Sequence, residues 1–140
     1  EKGRKQVKKL IKSIPESEFE EVSEIWHSSL VRSIQTAEVL KTGYTVFRDV
    51  ELHEVDELDP ESDVVEMGKL LADCEGDVVL CGHNPFLAEL VTALCAGEPG
   101  VGLVELKKGS MICLEREMDA NEFLQMGLWT IQRFVTPRIL

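Results

Sequence analysis

The amino-acid sequence predicts an α/β domain of three layers, αβα, with a mostly parallel sheet between its helices. Segments with the apolar runs of strands alternate along the chain with segments of helical periodicity. The run DVVLCG at residues 77–82 is almost continuously apolar, which is typical of a central parallel strand buried on both faces. The chain has 140 residues, of which 44% are hydrophobic, and this is enough for one domain with its own core.

The first fifty residues are predicted to form a helix, a strand, a second helix and a second strand. Residues 2–14 combine an apolar stripe at helical spacing with a basic outer face, and Pro15 ends this helix. After a connector, residues 22–27 predict a short strand. The pair Ser28-Ser29 is the predicted N-cap of a helix over residues 30–40 that stops at Gly43, and residues 45–50 alternate weakly as a strand. The apolar stripe of the first helix consists of Val7, Leu10, Ile11 and Ile14.

The second part of the chain is predicted to continue the alternation and to end in strands. A turn at residues 58–62 leads into a helix over residues 64–71, and the strand at 77–82 follows. Asn84 is the predicted N-cap of the next helix, with Pro85 as its first residue and Gly97 near its end. Strands at residues 103–106 and 111–115 flank a hairpin turn at 107–109, and residues 128–135 predict a last strand. These final strands are expected to add an antiparallel edge.

The charge and the cysteines exclude several classes of protein. The formal net charge of −11 argues against a general binder of nucleic acid or of anionic membranes, although it allows a small basic pocket for one phosphate. No apolar run approaches the roughly 20 residues of a membrane helix, and no signal peptide pattern is found. The four irregularly spaced cysteines are typical of buried thiols in a reducing, cytoplasmic compartment. The histidines lack the spacing of metal ligands, so no metal site is expected.

Two junctions between a strand and a helix carry reactive side chains. In an open α/β sheet, ligands gather beyond the carboxyl ends of the strands, where the helices begin. Arg32 lies in the first turn of one predicted helix, and His83 lies between the buried strand and the next helix. An arginine offers a rigid fork for phosphate oxygens, and a histidine can donate to an oxyanion or transfer a proton. These two residues therefore predict an anion site at this edge of the sheet.

These residues lie within two motifs, GHNP at residues 82–85 and SSLVRSIQTAE at residues 28–38. Together the motifs resemble the histidine phosphatase superfamily, whose fold is that of phosphoglycerate mutase, and in particular its small phosphohistidine phosphatases of the SixA type. Supporting similarities occur at residues 1–6 (EKGRKQ), 57–60 (ELDP), 106–110 (LKKGS) and 136–137 (TP), so the resemblance extends over essentially the whole chain. The combination of RxxQTA and GHNP at this spacing is specific, whereas either motif alone is weak.

The resemblance implies a phosphatase that forms a phosphohistidine intermediate and needs no metal or cofactor. Arg32 would clamp the phosphoryl oxygens, and His83 would stabilise their charge in the transition state. Ser28 and Asn84 would bind substrate, and His27 would be an auxiliary donor at the mouth of the pocket. The substrate would be a phosphorylated protein, carrying phosphohistidine, or a small phosphoester.

The sequence departs from the family pattern in three respects. The family's nucleophile belongs to an Arg-His-Gly or Arg-His-Ala motif upstream of the first helix, and no Arg-His dipeptide occurs in residues 1–140. We expect an N-terminal segment with this motif and with the first strand to precede Glu1. The family usually has Pro where Ser29 stands and Ser where His27 stands. A general acid is not identified among the candidates Glu51, Glu54 and Glu57.

Two alternatives remain open on the sequence alone. The chain could be a degenerate, non-catalytic module that binds phosphate or a partner, or it could be a small-molecule phosphatase or mutase of the same superfamily. The segment at residues 49–77, with twelve acidic residues and one lysine, predicts an acidic surface that a basic partner would bind in a salt-dependent way. The oligomeric state is not predicted.

Overall fold

The computed structural model describes residues 2–116 and 129–136 of the chain. The described strands are β1 (Val22–His27), β2 (Glu51–Glu54), β3 (Asp77–Cys81), β4 (Met111–Arg116) and β5 (Trp129–Val135). The described α-helices are α1 (Lys2–Ser13), α2 (Val31–Gly43), α3 (Val64–Ala72) and α4 (Phe86–Ala96). Short 3-10 helices lie at Glu16–Phe19, Thr45–Phe47, Asp56–Leu58 and Pro99–Val101.

Three parallel strands form a sheet with the order β2-β1-β3, and helices cover both of its faces. Successive residues of β1 point to opposite faces. Ile25 is fully buried in one core cluster with residues of α1 and α2, including Leu10 and Ala37. Trp26 packs against the other cluster, which is formed mainly by α3 and α4. The predicted α/β fold with helices on both sides of a parallel sheet is therefore confirmed.

The strand at residues 77–82 is confirmed over Asp77–Cys81, but within the described residues it lies at the edge of the sheet and not in the predicted central place. In the described sheet β1 is central and pairs with β2 on one side and β3 on the other. The three middle residues of β3 are only partly buried. Val79 packs on one core cluster and Val78 and Leu80 pack on the other, so the apolar run contacts both helix layers.

Strands β4 and β5 form an antiparallel pair of their own, with Met111 opposite Val135. The final strands were predicted to add an antiparallel edge to the sheet, with residues 111–115 in a hairpin with 103–106. Within the described residues β4 pairs instead with β5, separately from β1, β2 and β3. The pair still belongs to the same cores, because Met111 and Val135 pack on one cluster and Leu114 and Trp129 on the other. Leu128, the predicted start of the last strand, lies outside the described residues.

The predicted strand at residues 45–50 is wrong. Residues 45–47 form a 3-10 turn, and β2 begins at Glu51. Phe47 is buried and packs with Phe19 and Tyr44 at ring-centroid distances of 5.4 and 5.5 Å. The Glu16 carboxylate accepts hydrogen bonds from the backbone N–H of Val46 and the hydroxyl of Thr45. This aromatic packing and the external acceptor replace the ladder that a strand would need.

The predicted strand at residues 103–106 is also wrong, because its backbone groups bind side chains. The N–H of Leu103 donates to the hydroxyl of Thr92 at 3.1 Å, and the carbonyl of Leu106 accepts from Asn84 at 2.6 Å. The turn that follows, in which Gly109 has a φ of 75°, therefore leads from a loop into β4. No described helix is long and apolar enough to cross a membrane.

Candidate functional site

The site lies where β1 and β3 end side by side. His27 and Cys81, the last residues of the two strands, are paired in the parallel register. The chain leaves β1 through Ser28 to Leu30 into α2, and it leaves β3 through Gly82 to Pro85 into α4. Parallel strands with adjacent ends therefore bring the two predicted junctions together at one edge, as the sequence indicated.

A hydrogen bond joins the two junctions. The hydroxyl oxygen of Ser28 lies 2.6 Å from Nε2 of His83, although the two residues are 55 positions apart in the sequence. Ser28 is fully buried, and its oxygen also accepts from the backbone N–H of Leu30 at 3.3 Å. Ser28 thus contacts both His83 and the residue that precedes α2. The sequence predicted a substrate-binding role for Ser28 but neither of these contacts.

Ser33 fixes the first turn of α2 against both strand ends. Its hydroxyl donates to the carbonyl of Cys81 and accepts from the backbone N–H of Ser28 at 3.2 Å. Both serines are buried, and these hydrogen bonds satisfy the polar groups that water does not reach. Ser33 was not predicted as a site residue. The signal that could have indicated it is a serine in the first turn of a helix, where hydroxyls commonly bond to the backbone.

Asp59 connects a third element to the same edge. The carbonyl of His27 accepts from the N–H of Val55 at 2.8 Å, and the 3-10 turn Asp56–Leu58 then leads back to Asp59. The carboxylate oxygen Oδ1 of Asp59 accepts from both the backbone N–H and the hydroxyl of Ser29, each at 3.0 Å. Asp59 was not chosen as a site residue from the sequence, although it lies within the ELDP similarity.

The electrostatic environment of His83 involves all three elements. Burial lowers the pKa of His83, the positive charge of Arg32 lowers the pKa further, and the negative charge of Asp59 opposes both effects. A Coulombic effect of this kind requires charges within several ångströms of the ring. Arg32 itself is exposed in the first turn of α2, so its guanidinium is accessible to an anion. Arg32 follows the junction between β1 and α2, where Ser29 binds Asp59 and Ser28 binds His83. Arg32, His83 and Asp59 therefore lie at the same edge of the sheet.

Comparisons with known proteins agree with this geometry. The family described as the histidine phosphatase superfamily (branch 1) matches residues 1–67, which include Arg32 but not His83. The structure of the protein histidine phosphatase SixA complexed with tungstate aligns with a TM-score of 0.69 at 18% identity, covering 94% of this chain and 80% of that one. The putative phosphohistidine phosphatase SixA from Agrobacterium tumefaciens aligns with a TM-score of 0.62 at 17% identity, covering 93% and 80%.

The resemblance to the histidine phosphatase superfamily is confirmed. The chain has the fold of the SixA structures, since both alignments extend over nearly its whole length. No curated protein matches the chain in a sequence search.

Asn84 and His27 also lie at the two junctions, His27 at the end of β1 and Asn84 between β3 and α4. Asn84 is exposed, and its amide nitrogen donates to the carbonyl of Leu106 at 2.6 Å. The predicted N-cap role of Asn84 is wrong, because α4 begins at Phe86 after Pro85 and no side chain caps it. His27 is buried, and its Nδ1 donates to the carbonyl of Ser28 at 2.9 Å. Both residues therefore hold backbone segments that flank the site.

The predicted cap at Ser28-Ser29 needs a similar adjustment. Leu30 is the N-cap residue of α2, and its side chain makes no capping hydrogen bond. Ser28 accepts from the N–H of Leu30, so it lies two residues before the N-cap position and binds the N–H of the N-cap residue itself. Gly43 is the last residue of α2 rather than the residue that follows it.

The other titratable residues that the sequence brought forward lie apart from this neighbourhood or have other partners. Glu51 approaches Nε2 of His53 at 3.3 Å, and Glu24 approaches the same nitrogen at 2.9 Å. All four cysteines are free thiols, and burial raises the pKa of Cys81 to about 12. Among the described residues, no group of three or more histidines, cysteines or acids is arranged to hold a metal ion.

Proposed function

We propose that this chain is part of a phosphatase that works through a phosphohistidine intermediate, with Arg32 and His83 as the residues that hold the phosphoryl oxygens. The observation that carries the proposal is the contact between the two junctions, in which Ser28 links α2 to His83 at 2.6 Å. Arg32 lies in the first turn of α2, directly after the junction that holds Ser28, so it stands at the same edge of the sheet as His83. The superfamily match and the SixA fold support the assignment.

The chemistry follows from where charge develops during phosphoryl transfer. Negative charge is spread over the non-bridging oxygens, and fixed donors around them lower the barrier. The guanidinium of Arg32 supplies a planar fork for two of these oxygens. His83 supplies a further donor, and the N-terminal turn of α2 adds the partial positive charge of its backbone N–H groups. The proposal includes no metal and no cofactor.

The attacking histidine is assigned to an Arg-His motif, as the resemblance implies, and not to a histidine of residues 1–140. His27 is buried with Nδ1 bound to the carbonyl of Ser28. His53 lies beside the carboxylates of Glu24 and Glu51. His83 is held by Ser28, and none of the three follows an arginine. We therefore propose that none of these three histidines is the nucleophile.

Hydrolysis of phosphohistidine by the full protein tests the proposal. We expect the full protein to dephosphorylate a protein that carries phosphohistidine, and expect Arg32→Ala and His83→Ala each to reduce kcat/KM by about 100-fold or more, as loss of a transition-state donor does. Arg48→Ala is the matched control, because Arg48 is an exposed arginine outside the site. Full activity in both site variants would contradict the assignment.

The protein phosphohistidine substrate is proposed from the two structural neighbours. One neighbour is a protein histidine phosphatase, and the other is a putative phosphohistidine phosphatase. A small phosphoester is the alternative substrate, and it is tested by comparing kcat/KM for a phosphohistidine protein with that for p-nitrophenyl phosphate. A cytoplasmic location is proposed with it.

A second candidate is a module that binds phosphate without turnover. The observation in its favour is that residues 1–140 contain Arg32 and His83 but no Arg-His dipeptide. This candidate predicts binding of inorganic phosphate or vanadate with no hydrolysis and no covalent intermediate. Trapping a phosphorylated histidine on the full protein during turnover would exclude it.

A further inference from the structure

We propose that Ser28 is a positioning residue that fixes His83 as the neutral tautomer with its proton on Nδ1, and that Nδ1 is the nitrogen that donates to the bound phosphoryl group. The tautomer follows from the hydrogen bonds of Ser28. The donation to a phosphoryl oxygen rests on the function proposed above.

The hydroxyl of Ser28 can be satisfied in only one way. A serine hydroxyl has one proton to donate and can accept two hydrogen bonds. Its oxygen already accepts from the N–H of Leu30 at 3.3 Å, and it lies 2.6 Å from Nε2 of His83. If Nε2 is unprotonated, the hydroxyl donates its proton there and every group is paired. If Nε2 carries a proton, the serine proton needs another acceptor.

Within the described residues no such acceptor exists near Ser28. The other hydrogen bonds of Ser28 use its backbone: its N–H donates to the hydroxyl of Ser33, and its carbonyl accepts from Nδ1 of His27. Ser28 is fully buried, so water does not take the proton without a rearrangement. An unpaired buried hydroxyl is unfavourable. The geometry therefore favours a neutral imidazole with the lone pair on Nε2 and the proton on Nδ1.

Nδ1 of His83 is available to a ligand. It has no hydrogen-bond partner in the described part of the chain, and it is not among the buried polar atoms that lack one. The backbone of His83 is also held in place, because its carbonyl accepts from the N–H of Leu87 at 2.7 Å. Since Ser33 holds the backbone of Ser28 at 3.2 Å, the position of the hydroxyl is fixed from inside the protein.

Burial and the charges around His83 lower its pKa on balance, which also favours the neutral ring. The guanidinium of Arg32, on α2, opposes a second positive charge, and burial also disfavours the imidazolium. Asp59, which follows the 3-10 turn after β2, acts in the opposite sense, and the net pKa is lowered. His83 is then a neutral donor at neutral pH, and Arg32 carries the positive charge of the pair. Binding of phosphate should persist above the pKa of an ordinary histidine.

Nitrogen-15 NMR of the histidine rings in the full protein tests the tautomer directly. We expect Nε2 of His83 to show the chemical shift of an unprotonated nitrogen and Nδ1 that of a protonated one at pH 8. The opposite pattern, or an equal mixture of tautomers, would overturn the proposal. This measurement does not depend on activity, so it remains decisive if the protein hydrolyses nothing.

A variant pair tests the cause. Ser28→Ala removes the hydrogen bond that favours the neutral ring, so the pKa of His83 should rise measurably. Thr42→Ala is the matched control, because the exposed hydroxyl of Thr42 bonds only to carbonyls of its own helix. An equal rise in both variants, or none in Ser28→Ala, would refute the role of Ser28. If Ser28→Ala does not fold, the tautomer measured in the unaltered protein decides the question.

Titration with inorganic phosphate tests the donor. Phosphate binding should move the Nδ1 resonance of His83 and leave Nε2 nearly unchanged, and Arg32→Ala should abolish the movement. Binding that moves Nε2 instead would overturn the assignment of the donating nitrogen. No binding at all would contradict the proposed function and the donor role together, while the tautomer would still be judged by its own spectrum.

Discussion

Replacement of Ser33 by alanine should lower the free energy of unfolding by about 2–4 kcal/mol. The hydroxyl of Ser33 donates to the carbonyl of Cys81 and accepts from the N–H of Ser28, and all three residues are buried. Removing it breaks two hydrogen bonds and leaves two buried backbone groups unpaired. Each loss costs about 1–2 kcal/mol, toward the upper part of the range for partners that water does not reach. The change in volume is one oxygen atom, so a cavity contributes little.

Urea unfolding followed by far-UV circular dichroism measures this loss, provided that the slope m is unchanged between the variants. Ser13→Ala is the matched control, because the hydroxyl of Ser13 is exposed and bonds only to the carbonyl of Lys9 in its own helix. We expect the control to change the free energy of unfolding by less than about 0.5 kcal/mol. A loss in Ser33→Ala no larger than that in Ser13→Ala would refute the conclusion that Ser33 connects the two strand ends.

Three other substitutions have definite expected outcomes. Asp59→Asn removes the negative charge that raises the pKa of His83, so an NMR titration should give a lower pKa than in the unaltered protein; an unchanged or higher value would contradict the placement of Asp59. Asn84→Ala removes the bond to the carbonyl of Leu106 and should lower the free energy of unfolding by about 1 kcal/mol in a denaturant titration. Hydrogen bonds hold the pKa of Glu16 below its ordinary value of 4.5, so its contribution to stability is complete above that pH and is lost as the pH falls through the lower folded-state value. Glu16→Gln should therefore reduce the loss of stability between pH 5 and 3, and an unchanged pH dependence would contradict this.

Local sequence signals predicted the helices well because these signals act over a few residues. The stripe that begins at Val7 is the buried face of α1, and its members Leu10 and Ile14 are buried. The turn before α3 ends at Asp63, whose carboxylate accepts from the N–H of Val65 at 2.9 Å. Periodicity was sufficient to predict these helices, whereas the cap at Asp63 was not predicted.

The wrong strands arose from interactions between distant segments. Phe47 turns inward because the rings of Phe19 and Tyr44 surround it, and Phe19 lies far away in sequence. Residues 103–106 form no strand, and Thr92 and Asn84 bind their backbone groups instead. A weak alternation of side chains cannot show whether a second strand or a polar side chain will satisfy the backbone.

The site was predicted in the same uneven way. Arg32 and His83 were found because a general rule places ligands at the carboxyl ends of parallel strands. Ser33 and Asp59 were not found because their partners are 48 and 30 residues away, and only the folded chain brings them together. A serine near a helix start and an aspartate before a proline each have ordinary local roles, so neither stood out.

The departure at Ser29 and the position of Asp59 explain each other. The pattern implied by the resemblance has a proline at this place, and a proline has neither the N–H nor the hydroxyl that Asp59 accepts at 3.0 Å. With serine at position 29, the loop after β2 is attached to the start of α2, and a carboxylate is held near His83. That carboxylate opposes the effects of Arg32 and of burial on the pKa of His83. The proton affinity of the ring is therefore set by three separate elements of the fold, and the residue at position 29 links one of them to the site.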